Sequence, residues 1–187
     1  MNSHTKLAKF IHWTFTLLYA YGIFKQVDDL NELEDPSLLN FEILFATVFL
    51  IIVLIRYFYM KDAPTLLGAH EEVTKGHLLI AKTVHRLVYF SLIMLPTTGL
   101  LIAGLFNLEM GGVEIAVALH EFSAFLSYLV IALHVGASLY SRFKGEGLWN
   151  AMVPIWKETG KNNSDIVKKL EVMENKVYKK VEEKFNN

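Results

Sequence analysis

Four apolar stretches dominate the chain: about Leu7–Phe24, Leu38–Tyr59, Leu78–Phe106 and Val113–Phe143. Each reaches or nearly reaches the ~20 residues that carry a helix across ~30 Å of hydrocarbon. In lipid every backbone N–H and C=O must be satisfied without water, and a single segment does this by forming a helix. The expected fold is therefore all-α, an integral membrane four-helix bundle. With 53% hydrophobic residues the chain is more apolar than a soluble domain of its length. Met1–Lys9 runs straight into the first stretch with no small-residue cleavage site, so that stretch reads as a spanning helix and not as a cleavable signal peptide. There is no cysteine, which excludes disulfides, iron–sulfur clusters and covalent haem attachment.

The connecting segments orient the bundle. Between the first two stretches lie Asp28, Asp29, Glu32, Glu34 and Asp35, and Lys25 is the only basic residue on that side. The other side carries Lys6, Lys9, Arg56, Lys61, Lys75, Lys82, Arg86, Arg142 and Lys144. The positive-inside rule then puts both termini in the cytoplasm and makes the chain a multi-pass protein of the cell inner membrane. Two parts are expected: residues 1–144 as the bundle and residues 145–187 as a polar tail. Within the tail Ile166, Leu170, Met173, Val177 and Val181 recur at helical spacing among lysines, an amphipathic cytoplasmic helix. Such a stripe either packs on its own bundle or docks on a partner or the anionic lipid surface.

Histidines inside these stretches are the candidate chemistry, because an ionisable group in hydrocarbon is costly unless paired or ligated. His120 and His134 are fourteen residues apart, roughly 21 Å and four turns of helix, so they face the same way at two depths. Two stacked imidazoles suit two b-type haems, whose iron takes axial histidine. His12 enters the first helix at the depth of His134, and these two form the expected inner pair. His120 is the expected ligand of an outer haem. Its counterpart should come from the start of the second helix, where Asn40, Phe41 and Glu42 stand in place of histidine. Glu42 as a weak ligand, or an outer site that is five-coordinate or empty, are the readings this leaves.

His85, read as opening the third helix at the inner level, is a candidate for a haem propionate or a quinone carbonyl. Arg56 is a candidate propionate partner through a bidentate hydrogen bond. His4, His70 and His77 read as surface residues. Gly22, Gly136 and Ala137 offer room for a flat porphyrin. Trp13, Tyr19, Tyr57, Tyr59 and Tyr140 fit an interfacial belt, and Pro96 a bend in the third helix. Helix pairs broken by Gly and Pro, as transporters use, are not apparent.

Taken in order, Ile11-His12-Trp13, Ile55-Arg56, His85-Arg86-Leu87-Val88-Tyr89, Leu95-Pro96-Thr97-Thr98-Gly99, Leu119-His120-Glu121, Leu133-His134 and Gly147-Leu148-Trp149-Asn150-Ala151-Met152 resemble the bacterial cytochrome b561 family. That family includes the cytochrome b subunits of nickel–iron hydrogenases and formate dehydrogenases. The resemblance covers about Lys6 to Pro154. It implies two b haems in a four-helix bundle that exchanges electrons with the quinone pool. By position His12 and His134 resemble the inner ligands and His120 one outer ligand. The family's second-helix ligand falls at or near Glu42. The function expected is electron transfer between quinone and a redox partner protein or a small oxidant such as superoxide. The alternative is a non-redox or single-haem membrane anchor subunit. Lipid, quinone and a redox partner are the expected associates, and nucleic acid is not.

Overall fold

The computed structural model describes residues 5–27, 29–61, 73–158 and 160–185. His4, Asp28 and His70 lie outside the described residues. Among those described, all regular structure is helical: α1 (Lys6–Phe24), α2 (Pro36–Met60), α3 (Lys75–Asn107), α4 (Val113–Lys144), α5 (Leu148–Met152) and α6 (Asp165–Phe185), with a short 3-10 helix at Leu30–Glu34. Three of these, α2, α3 and α4, are long and apolar enough to cross a membrane. In α2 only 17% of the apolar window is buried by protein. The remainder, with Leu44, Ile51 and Phe58 all at least half exposed, would be an untenable apolar surface in water and marks a lipid-facing helix. α1 has 19 residues, about 28 Å of helix, and is not among those three.

Local chemistry accounts for the helix limits. Asp35 caps α2 by accepting from the Ser37 backbone N–H at 2.8 Å, and Pro36 sits where its missing N–H is harmless. Hydrogen bonds from Ser37, first side chain and then backbone, hold the Asp35 carboxyl below its ordinary range. Between α3 and α4 the chain turns through Glu109 and Gly112, both at positive φ. Pro96 is accommodated inside α3, where Thr97 donates to the Ile93 carbonyl at 2.7 Å and Thr98 to those of Met94 and Leu95 at 2.9 and 3.0 Å. Hydroxyls thus serve carbonyls around a proline that interrupts the ladder.

The chain divides into two compact units. One comprises Lys6–Asp62 with Val88–Val130. Its interior is set with small polar residues, Ser91, Thr98, Ser123 and Ser127, which let helices approach closely and bond across. Tyr19 of α1 donates to Ser127 of α4 at 2.8 Å, since the serine's own hydrogen goes to the Ala124 carbonyl. Leu33, Leu39, Ile102, Ala103 and Ala116 form an apolar cluster in this unit. The other unit holds Ala63–Leu87 and Ile131–Asn187, and so joins the tail to the first turns of α3 and the last of α4.

Candidate functional site

His120 projects from α4, half-buried, with its Nδ1 3.0 Å from Thr98 Oγ1 on α3. A hydroxyl has one hydrogen, and the Met94 and Leu95 carbonyls beside Thr98 only accept. Every group is satisfied when Thr98 donates to a carbonyl and accepts from the His120 Nδ1–H. Nε2 is then the nitrogen with a free lone pair, the state a metal-ligating imidazole requires. Gly99 faces the same ring, and a Cβ there would meet its Cε1 at 3.5 Å. The Pro96-Thr97-Thr98-Gly99 run therefore supports His120, a role that spacing along a single helix does not display.

In the same unit His12 is half-buried on α1, with Phe15 and Trp13 edge-on at 5.2 and 5.8 Å. One turn earlier the Ala8 carbonyl accepts from Arg56 Nη1 at 3.0 Å, and the guanidinium carbon stands 5.4 Å from the centre of the Phe15 ring. Arg56 is only 7% exposed and bonds the Tyr89 side chain as well. Among the described residues no carboxylate pairs with it, so it is a buried cation whose counter-charge remains to be supplied. Gly22, expected to make room for a porphyrin, instead admits Phe45, whose ring lies 3.3 Å from the place of a Cβ.

Glu42 forms an ion pair with Lys25, which commits the carboxylate proposed as a weak iron ligand to a neighbour on its own side. Burial lowers the Lys25 ammonium from its ordinary value. Asn40 is exposed.

The other unit holds His85 and His134, whose rings meet edge-to-face at 5.0 Å. His85 Nδ1 lies 2.8 Å from the Ala81 carbonyl, which leaves Nε2 for other partners. His85 is the eleventh residue of α3, because the helix starts at Lys75 and not at His85. His77 is not a plain surface residue: it is half-buried and stacks on Tyr178 at 4.3 Å. His12 and His134 share a local device, as Thr16 donates to the His12 carbonyl and Ser138 to the His134 carbonyl at 2.7 and 2.9 Å. Beside Gly136 there is open space.

No three His, Asp or Glu side chains gather as a bare-ion site among the described residues. A haem asks less of the protein, because the porphyrin supplies four donors and the chain at most two. An imidazole with Nε2 available, and a buried arginine able to meet a propionate, fit that group.

The chain belongs to the prokaryotic cytochrome b561 family, whose profile matches residues 3–154. This bears out the resemblance read from the sequence. The family is one of membrane electron-transfer proteins that carry b-type haem. No curated protein and no solved structure gives a significant match.

Proposed function

We propose that this chain carries electrons between the quinone pool of the inner membrane and a redox partner protein or a small oxidant such as superoxide. A b-type haem, when bound, supplies a one-electron iron couple. In this reading His12 and His134 would hold an inner haem and His120 would help to hold an outer one. Thr98 holds the His120 tautomer, and Arg56 offsets propionate charge. His85, whose ring meets that of His134, would bind a propionate or a quinone carbonyl. The observation that carries the reading is the Thr98–His120 pair within a chain of this family. α1 acts as a fourth spanning helix, which makes residues 1–144 the bundle and residues 145–187 its cytoplasmic tail.

A dithionite-reduced minus oxidised spectrum with a pyridine haemochrome count tests the proposal. One or two haems per chain are expected, and His134→Ala should remove one low-spin signal in electron paramagnetic resonance. A purified chain without haem would overturn the carrier in favour of a membrane anchor. The Lys25–Glu42 pair favours one intermediate form of the second reading: a chain with one complete haem and an outer site that lacks a second protein ligand.

A further inference from the structure

Four of the five residues of the α6 apolar stripe do not face their own protein, Val181 alone being half-buried. The inward face is formed instead by Val167, Glu174 and Tyr178, at seven- and four-residue steps. Glu174 accepts from Lys144 Nζ at 2.8 Å, from the Tyr140 hydroxyl at 3.2 Å, and from Tyr178. Lys144 also pairs with Glu146 at 2.5 Å. A Cβ on Gly76 would collide with the Tyr178 carbonyl, so the α6 backbone lies directly against the start of α3. Ile166, Leu170, Met173 and Val177 consequently turn outward, 72, 42, 63 and 53% exposed. At 3.6 residues per turn, Lys169, Lys176 and Lys180, all exposed, border the stripe on its free side. Glu171, Glu174 and Glu182 fall on the inward face or beyond it, and Asp165 and Glu183 lie at the outer edge of the lysine row near the two ends of the helix.

Two observations select what covers this stripe. Lys144, which holds Glu174, is the last residue of α4, a helix long and apolar enough to span the membrane. α6 is thus fastened at the end of a spanning helix, on the side where that helix leaves the membrane. The lysine border there complements negative charge, and an apolar stripe with a cationic edge is the form of a helix lying in the interface. We infer that α6 is a surface anchor that lays Ile166, Leu170, Met173 and Val177 into anionic lipid headgroups, with Lys169, Lys176 and Lys180 on the phosphates. The clasp on Lys144 couples this contact to the end of α4.

The chain has no cysteine, so single introduced cysteines report on chosen positions. Nitroxide labels on Leu170→Cys and, on the far side, Asn175→Cys would be compared in the full chain. The bilayers are nanodiscs of phosphatidylcholine with and without phosphatidylglycerol. With phosphatidylglycerol the Leu170→Cys label should lose several-fold accessibility to an aqueous nickel chelate and gain accessibility to oxygen. The Asn175→Cys label should stay aqueous in both. Changing Lys169, Lys176 and Lys180 together to Gln should abolish the difference between lipids. Equal aqueous exposure of the two labels in anionic discs overturns the inference, as does protection of Leu170→Cys that ignores lipid charge. Protection that rises with the number of chains per disc would assign the stripe to a second copy and also overturn it.

Discussion

An imidazole offers iron one nitrogen, and the bond made by the other decides which. At His120 that bond is the one Nδ1–H donates to Thr98 Oγ1. Thr98→Val keeps the shape but removes the acceptor, so haem affinity at the His120 site should fall by about 10- to 100-fold, as loss of an outer hydrogen bond to a ligand does. Thr98→Ser should restore it, and the signal of the proposed inner haem should not change. Haem titration of the variants, followed by absorption and paramagnetic resonance, checks this. Identical titrations for Thr98→Val and the parent would remove Thr98 from the site. Glu42 gives the second prediction at this scale. Under the proposed function, a Glu42 carboxylate held by Lys25 would leave an outer haem at His120 open to a small ligand. Carbon monoxide should shift part of the reduced spectrum, and Glu42→His should suppress that shift. Two haems that both ignore carbon monoxide in the parent would contradict it.

Among the elements, α6 depends on one carboxylate and one glycine. Burial pushes the Glu174 carboxyl up, but the hydrogen bonds from Lys144 and Tyr178 outweigh it and hold the group below its ordinary value. A lowered native value means the clasp contributes fully above the ordinary pKa of about 4.3 and is lost as pH falls through the lower one. Burial, then the bond to Glu174, pushes the Tyr178 hydroxyl well above an ordinary phenol, so it remains a donor at neutral pH. Hydrogen exchange of Asp165–Phe185, corrected for intrinsic rate, should stay flat from about pH 7 to 5 and rise below about pH 4. Glu174→Gln should raise exchange already at neutral pH. Gly76→Leu should do the same with Glu174 intact, because it blocks the approach of the α6 backbone. Protection unchanged in Gly76→Leu would mean that α6 is held elsewhere.

For the molecule as a whole the prediction concerns topology. The Lys and Arg residues divide unequally between the two sets of loops, and charge bias of this kind orients membrane proteins. A reporter fused after Asn187 should behave as cytoplasmic, and a cysteine at Asp29 should react with an impermeant reagent from the opposite side. The reverse pattern would invert the bundle, and with it the side on which α6 meets lipid.

The sequence by itself determined the helices and the family. The apolar runs at Leu38–Tyr59, Leu78–Phe106 and Val113–Phe143 differ from α2, α3 and α4 by at most three residues at either end. Hydropathy and length are local properties, and a backbone in lipid has little choice but to follow them. The order of short motifs around His12, His85, His120 and His134 likewise sufficed for the family. Only the tertiary structure decided which residues meet. Thr98 and His120 are 22 positions apart, and Gly76 and Tyr178 are separated by most of α3, by α4 and α5, and by more than half of α6. Helical period locates the stripe of α6 on one face, but it carries no information on what that face opposes. Here a buried lysine and two tyrosines around Glu174 outcompeted the apolar residues for the inward side, because unpaired charge inside protein costs more than an apolar stripe that lipid can cover.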